Sequence, residues 1–184
     1  MISLQNINIL LKINFKENVM KKYIILLLIT TVMIGCSSSV DNSEKNIALV
    51  EKYINTVENL DSEGMDNFLA DDYMGYGPSH DNEINKEGAI KNWKEFSSNL
   101  YKSIKYTKNR NIAVTIPDGE HKGEWVTNWA ELHIVYKETN AEVTLWANTL
   151  YQIENDKIIK SYTIYNEADA LHQLGYIFIN DNQN

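Results

Sequence analysis

Three segments that alternate apolar and polar residues follow one another between residues 124 and 175. They cover residues 124–137, 141–154 and 157–166, and alternation over such lengths predicts β-strands. The connections of two or three residues join only antiparallel neighbours, because parallel strands need a crossover of a dozen or more residues. The sequence therefore predicts an antiparallel meander, around which the rest of the chain is arranged.

The chain before the meander contains two helical patterns, a strand, a third helix and one more strand. The first helix is expected to begin at the N-cap Ser43, and the second at Asp61 or Ser62, because these side chains accept hydrogen bonds from free backbone N–H groups. Three helices over one face of a sheet make an α+β layer arrangement. The later segments are a strand at residues 71–78, a helix with an apolar stripe from Ile90 to Ile104, and a strand at residues 106–116.

The first strand of the meander carries large apolar groups on both faces. Trp125 and Trp129 share one face with Glu131 and His133, while the opposite face is largely aliphatic. A sheet covered by helices on one side is normally polar on the other. We therefore expect the outer face to be covered by a second copy of the chain, in a homodimer.

These residues resemble the nuclear transport factor 2-like superfamily, in particular its SnoaL-like branch. The resemblance rests on the order of elements, on Asp71-Asp72-Tyr73 at the first strand and on the ending Gln173-Leu174-Gly175. It covers about residues 44–178. It implies a cone-shaped, curved antiparallel sheet with three helices packed on its concave face, around one pocket. That fold hosts isomerases, dehydratases and polyketide cyclases, so it does not by itself determine the function.

The resemblance also implies a catalytic aspartate seven positions before Gln173. In this chain that position is Asn166. An amide does not exchange a proton at working pH, so the acid/base role does not carry over. Asp169, about one helical turn further on, is expected to cap the terminal helix.

Other side chains are candidates for general acid/base catalysis. Asp72 and Tyr76 are four apart on a strand and point the same way, as an acid/base and a hydrogen-bond donor would. His133 lies two residues from Glu131, which could raise its basicity. Each also has a structural interpretation: Asp72 as a turn residue, and His133 with Glu131 as a polar pair on the dimer side. A cofactor-independent isomerase, dehydratase or cyclase therefore stays open as an alternative.

Aromatic residues exceed what a small core requires, and aromatic walls with few polar tips are typical of small-molecule pockets. We therefore predict binding of a small apolar or aromatic molecule without turnover. No two of the four histidines have a spacing that would converge on a metal, so neither a metal nor another cofactor is expected. The predicted pocket residues are Trp93, Trp125, Trp129, Trp146, Tyr162 and Asn166.

The beginning of the chain has the pattern of an export signal. Lys21 and Lys22 precede an apolar run of about a dozen residues that ends at Gly35-Cys36, and this run is shorter than the roughly 20 residues of a membrane span. Its end resembles the lipobox of bacterial lipoproteins, which implies lipidation of Cys36. Residues 1–35 are then the signal region, with Met20 as an alternative start, and residues 36–43 a lipidated tether before a domain at residues 44–184.

These segments together predict an exported lipoprotein anchored to a membrane of the bacterial cell envelope. A further alternative is a dimerisation platform at the membrane surface. The formal net charge of −8 would repel phosphate backbones, so a nucleic-acid partner is not expected.

Overall fold

Six strands of the described residues, 42–177 of the computed structural model, form a single sheet. They are β1 (Leu69–Tyr76), β2 (Glu83–Asn85), β3 (Tyr101–Ile116), β4 (Gly123–Tyr136), β5 (Glu142–Glu154) and β6 (Lys157–Tyr165). Their order in the sheet is β2-β1-β6-β5-β4-β3. Strands β3 to β6 are successive antiparallel neighbours, which confirms the predicted meander. The predicted signal region and Cys36 lie outside the described residues.

The sheet is mixed: the predicted antiparallel pairing holds for every neighbouring pair of strands except one. β1 pairs with β6 in parallel, with Gly75 opposite Ser161. No local pattern reveals this pairing, because the two strands are far apart in the sequence. The polar segment between β1 and the third helix contains the short strand β2, which pairs with the end of β1.

Four α-helices and one π-helical turn accompany the sheet in residues 42–177. Asp61 caps α2 by accepting a hydrogen bond from the Gly64 N–H at 2.8 Å, as predicted. The N-cap of α1 is Asn42, one residue earlier than expected. No helix of this part of the chain is both long and apolar enough to cross a membrane. The elements are α1 (Ser43–Glu58), α2 (Ser62–Asp66), α3 (Lys86–Glu95), the π-helical turn (Phe96–Leu100) and α4 (Glu167–Gln173).

The third helix ends earlier than its apolar stripe indicates. After α3 and the π-helical turn, β3 begins at Tyr101, and Ile104 pairs with Ile134 of β4. Ile104 is only 3% exposed. An apolar residue that the sheet can bury in this way favours strand over helix, because strand preference depends on side-chain packing more than on intrinsic propensity.

The core lies between the helices and the inner face of the sheet. Even-numbered residues of β4 form that face, and Val126 and Ala130 are fully buried. α1 packs Val50, Ile54 and Val57 from one stripe into the same core. Burying a side chain of this size stabilises the fold by roughly 1.5–3 kcal/mol. The arrangement leaves the odd-numbered residues of β4 on the outer face.

Candidate functional site

A cavity of about 530 Å³ lies between the inner face of the sheet and the helices. Its volume falls within the range of small-molecule sites, roughly 300–1,000 Å³. Val57 of α1, Trp93 of α3 and Leu171 of α4 contribute to its wall, and β1 and β3 to β6 supply further apolar surface. The helices and the sheet therefore enclose a space that suits a small organic molecule.

Tyrosine is the most frequent residue type in the wall of this cavity. Tyrosine rings provide apolar area, and their hydroxyls provide hydrogen-bond donors and acceptors without charge. The cavity is therefore apolar in bulk and carries neutral polar tips. The eight tyrosines are Tyr53, Tyr73, Tyr76, Tyr101, Tyr106, Tyr136, Tyr151 and Tyr165.

Four of them, Tyr53, Tyr73, Tyr106 and Tyr151, form what we call the inner tyrosine cluster. The rings of Tyr53 and Tyr151 meet edge to face, with centroids 5.7 Å apart, and the Tyr73 hydroxyl lies 2.7 Å from Ser161 Oγ. Burial raises the pKa of all four hydroxyls, and neighbouring tyrosines raise the pKa of Tyr53 and Tyr151 further. The inner cluster therefore stays neutral at physiological pH.

Tyr101, Tyr136 and Tyr165 form an outer tyrosine cluster, where β3 begins and where β4 and β6 end. The ring centroids of Tyr101 and Tyr136 are 5.7 Å apart. Burial raises the pKa of these three hydroxyls as well, and the nearby Glu167 carboxylate raises the pKa of Tyr165 further. This second cluster is also neutral at physiological pH.

Glu167 is the one charged side chain that residues 42–177 contribute to the cavity wall, and it is exposed. The other polar wall groups besides tyrosine are neutral. Among them, the Thr149 hydroxyl donates to the Thr163 hydroxyl at 3.3 Å. General acid/base catalysis needs a group whose pKa lies near the working pH. The wall is therefore better suited to hydrogen bonding than to proton exchange.

No cluster of three or more histidine, cysteine, aspartate or glutamate side chains in residues 42–177 could hold a metal ion.

Two of the sequence-predicted site residues, Trp93 and Tyr76, line the cavity. Tyr76 also stacks on Tyr162, with ring centroids 4.9 Å apart, and Tyr162 stacks on Trp125 at 6.2 Å. Tyr162 and Trp125 do not line the cavity, because they project from the outer face of β6 and β4. The Tyr76 ring lies on the same face as Tyr162, its partner in the register of β1 and β6, although Tyr76 borders the cavity. The pocket role predicted for these two side chains is therefore not supported by their placement.

Trp129 and Trp146 also lie on the outer face, 58% and 51% exposed. Their ring centroids are 5.9 Å apart, and Lys108 Nζ lies 5.3 Å from the Trp146 ring centroid. The pocket role predicted for them is not supported by their placement, because the cavity faces the even-numbered residues of β4 and the odd-numbered residues of β5. Their surroundings belong instead to an exposed apolar surface.

The predicted pair of Glu131 and His133 is present on the outer face. His133 Nε2 lies 3.3 Å from Glu131 Oε1, and His133 Nδ1 lies 3.0 Å from Thr144 Oγ1. Lys108 donates to Glu131 Oε2 at 2.8 Å and lowers the pKa of that carboxyl group. His133 therefore cannot act as a catalytic group of the cavity.

Asp72 and Asn166 lie outside the cavity wall as well. Asp72 is exposed, since Tyr73 and Gly75 take the inward positions of β1. Asn166 caps α4: its Oδ1 accepts a hydrogen bond from the Asp169 N–H at 3.1 Å. Capping was predicted for Asp169, but an N-cap must precede the helix, and Asp169 lies inside its first turn.

The inner tyrosine cluster is a part of the site that the sequence pattern did not predict. Tyr53 belongs to the apolar stripe of α1, and Tyr151 takes an inward position on β5. The sequence did contain a signal for this cluster: several elements each carry a tyrosine at a position that faces the core. It indicates a cavity with polar groups in its wall, since buried hydroxyls normally require partners.

Comparison with solved structures identifies the fold. A phenazine biosynthesis-related protein from Pseudomonas aeruginosa superposes with a TM-score of 0.62 at 14% identity, over 81% of this chain and 93% of that one. An LEH-like epoxide hydrolase from M. tuberculosis gives 0.57 at 17% identity, over 72% and 91%. A proposed SnoaL-like polyketide cyclase from Shewanella denitrificans gives 0.58 at 12% identity, over 70% and 95%.

A further neighbour, from Catenulispora acidiphila, is described as having a ketosteroid isomerase-like fold and gives a TM-score of 0.55 at 13% identity, over 70% of this chain and 93% of that one. No protein-family model and no curated protein matches the sequence. At these identities the likeness concerns the fold alone. The predicted α+β, nuclear transport factor 2-like fold class is confirmed.

Proposed function

We propose that this nuclear transport factor 2-like domain binds a small, uncharged apolar or aromatic molecule in its central cavity, without turnover. The observation that carries the proposal is the composition of the cavity wall, which has eight tyrosines and one exposed carboxylate. Apolar walls with a few placed hydrogen-bonding groups are typical of small-molecule sites. The aromatic rings favour a planar ligand that can stack against them.

The absence of turnover is supported by the chemistry of the groups that reach the ligand. Burial raises the pKa of the tyrosines in both clusters, so they donate hydrogen bonds and keep their protons. Asn166 stands in the position where the SnoaL-like branch has an aspartate, and its side chain caps α4. Neither group supplies a base at neutral pH.

An enzyme of the isomerase, dehydratase or cyclase kind is the second candidate, because one carboxylate does reach the cavity. Glu167 lies close enough to Tyr165 to raise its pKa, and a carboxylate next to a phenol can serve as base and hydrogen-bond donor. Two of the structural neighbours carry enzyme names, a polyketide cyclase and an epoxide hydrolase. Those activities are properties of the neighbours.

The two candidates differ in what happens to a bound ligand. Trp93 lines the cavity, so we expect ligands to quench its fluorescence, and Trp93→Phe should abolish the signal. Ligands recovered after long incubation should be unchanged by mass spectrometry and NMR. Conversion that Glu167→Gln abolishes, while affinity is retained, would favour the enzyme instead.

We further propose that the chain is exported and anchored through a lipid on Cys36. Support comes from the sequence: two lysines, a short apolar run and the Gly35-Cys36 ending. A lipid anchor would place the domain next to a membrane, where apolar and aromatic molecules concentrate.

A homodimer through the outer sheet face is the proposed assembly. Five exposed apolar side chains lie there: Ile112, Val114, Trp129, Trp146 and Ile164. Such a surface is unusual on a monomer. The same face carries Lys108 and Glu131, which form an ion pair. In a two-fold dimer the same patch of both subunits is in contact, and a patch with charges of both signs can be complementary to itself. The alternative of a dimerisation platform at the membrane would use the same face and leave the cavity without a ligand.

A further inference from the structure

The two tyrosine clusters lie apart along the strands of the sheet. Tyr151 belongs to the inner cluster, and Ala147, four residues earlier in β5, pairs with Tyr165 of the outer cluster. At about 3.3 Å per residue the two positions are about 13 Å apart along the strand. The cavity therefore carries tyrosine clusters at two separated places, and the wall between them includes Thr149 and Thr163, whose hydroxyls bond to each other.

Hydroxyls in both clusters are available to a ligand. No hydrogen bond of residues 42–177 uses the hydroxyl of Tyr53 or that of Tyr136, yet no enclosed side-chain nitrogen or oxygen in that part of the chain lacks a partner. These two hydroxyls must therefore have open space before them, which for Tyr53, a buried residue of the wall, is the cavity. A phenol in that position donates its proton to an acceptor oxygen.

The same wall disfavours a charged ligand. No lysine, arginine or histidine of the described residues lines it, and Glu167 adds negative charge at its exposed side. A carboxylate placed there would lose its hydration without gaining a cation, and that loss is costly. A cationic ligand would meet one exposed carboxylate and otherwise only neutral groups.

We propose that the cavity selects uncharged aromatic molecules that carry an acceptor oxygen, such as a ketone or quinone carbonyl, at each of two opposite ends. The inner tyrosine cluster would bind one oxygen and the outer cluster the other, with the ring system between them. This inference rests on the proposed binding function and adds the chemical class of the ligand. The raised pKa of the tyrosines supports it, because the donors stay protonated over a wide pH range.

Four naphthalene probes of similar shape test the proposal through Trp93 quenching of the purified protein. They are 2-ethylnaphthalene, 2-acetylnaphthalene, 2,6-diacetylnaphthalene and 6-acetyl-2-naphthoate, which is nearly isosteric with the diketone but charged. We expect affinity to rise about 5- to 10-fold with each carbonyl group, the gain of about one hydrogen bond. The carboxylate should bind at least about tenfold more weakly than the diketone.

Phenylalanine variants test which tyrosine hydroxyls bind the two carbonyl oxygens. Tyr53→Phe and Tyr136→Phe remove one hydroxyl from the inner and the outer cluster, and each should lower diketone affinity about 5- to 10-fold while leaving 2-ethylnaphthalene unchanged. Tyr176→Phe is the control, since Tyr176 is 61% exposed and outside the cavity wall. Equal affinity for the hydrocarbon and the diketone, or preference for the carboxylate, would overturn this inference and leave the binding function intact. If none of the four probes binds, the proposed binding of small aromatic molecules fails with it.

Discussion

The side-chain amide of Gln173 pairs with both backbone groups of Thr144. Its Nε2 donates to the Thr144 carbonyl oxygen at 2.8 Å, and its Oε1 accepts from the Thr144 N–H at 2.9 Å. Thr144 lies on β5 beyond Ala147, where the pairing with β6 ends. Gln173 therefore takes the place of the missing strand at this edge and fastens α4 against the sheet, where α4 forms part of the cavity wall.

Removing this amide should loosen α4. Gln173→Ala is expected to lower the free energy of unfolding by about 1–2 kcal/mol, because two backbone groups lose their partner. A bound probe should also dissociate faster, since α4 covers part of the cavity. Denaturant unfolding and stopped-flow release measure the two effects. His172→Ala, one position earlier on the same helix, is the control, and equal behaviour of both variants would contradict the role given to Gln173.

Substitutions at Asn166 should separate capping from catalysis. Asn166→Ala removes the N-cap of α4 and should cost about 0.5–2 kcal/mol of stability. Asn166→Asp keeps an acceptor for the Asp169 N–H and adds negative charge at a helix N-terminus, so stability should be retained. Turnover of ketone substrates should remain absent in Asn166→Asp, because residue 166 is exposed and outside the cavity wall. Detectable turnover in that variant would show that the position reaches the ligand.

The tyrosine clusters predict a loss of stability at alkaline pH. Their pKa values in the folded protein are raised above about 10, the value for an unfolded chain. The unfolded chain therefore loses protons first, so stability is complete below about pH 10 and falls as the pH rises above it. Each protected tyrosine contributes a slope of about 1.4 kcal/mol per pH unit in that range.

Denaturant midpoints measured from pH 8 to pH 11 check this expectation. Tyr53→Phe should have a shallower decline than the wild type, and Tyr176→Phe, which changes an exposed tyrosine, should have the same decline as the wild type. A flat profile up to pH 11 would mean that the tyrosines ionise as freely in the folded protein as in the unfolded chain.

The outer face should hold two copies together. Light scattering of the purified protein at micromolar concentration is expected to give twice the mass of one chain. Trp129→Glu and Ile112→Glu place a charge among the exposed apolar side chains and should give monomers with an unchanged fold. Ile177→Glu is the matched control, because Ile177 is 84% exposed but lies outside the sheet. A monomeric wild type would refute the proposed assembly.

Anchoring through Cys36 is tested in a bacterial host. Wild-type protein should partition into the detergent phase of a membrane extract, with the first 35 residues removed. Cys36→Ala should stay unprocessed or leave the membrane fraction, because the attachment point for the lipid is lost. Ser37→Ala, at the next position, should behave as the wild type. Recovery of wild-type protein in the aqueous phase with its first residues attached would refute the export proposal.

The fold was largely predictable because its signals are local. Alternation in residues 124–166 located β4, β5 and β6 to within a residue or two, and the apolar stripe with its cap at Asp61 located the early helices. What could not be predicted depends on distant pairing. Tertiary packing decides the parallel pairing of Gly75 with Ser161. It also decides that residues 101–105, for which a helix was predicted, form a strand.

The site was less predictable, because it depends on which face of each strand meets the helices. Trp125 and Trp129 alternate with Val126 and Asn128, and the pattern alone allows either set to face inward. The structure gives the inner face to Val126 and Asn128. The most conspicuous aromatic residues therefore lie outside, while tyrosines from several elements line the cavity.

The parallel pairing of β1 with β6 also has a consequence for synthesis. Tyr73 of β1 and Ser161 of β6 share a hydrogen bond in the cavity wall, although 88 positions separate them in the chain. Closing so long a loop costs conformational entropy before its contacts are gained. A ribosome must therefore release nearly the whole domain before the cavity can exist, and a chain truncated before β6 would be unable to bind a ligand, even with its early helices intact.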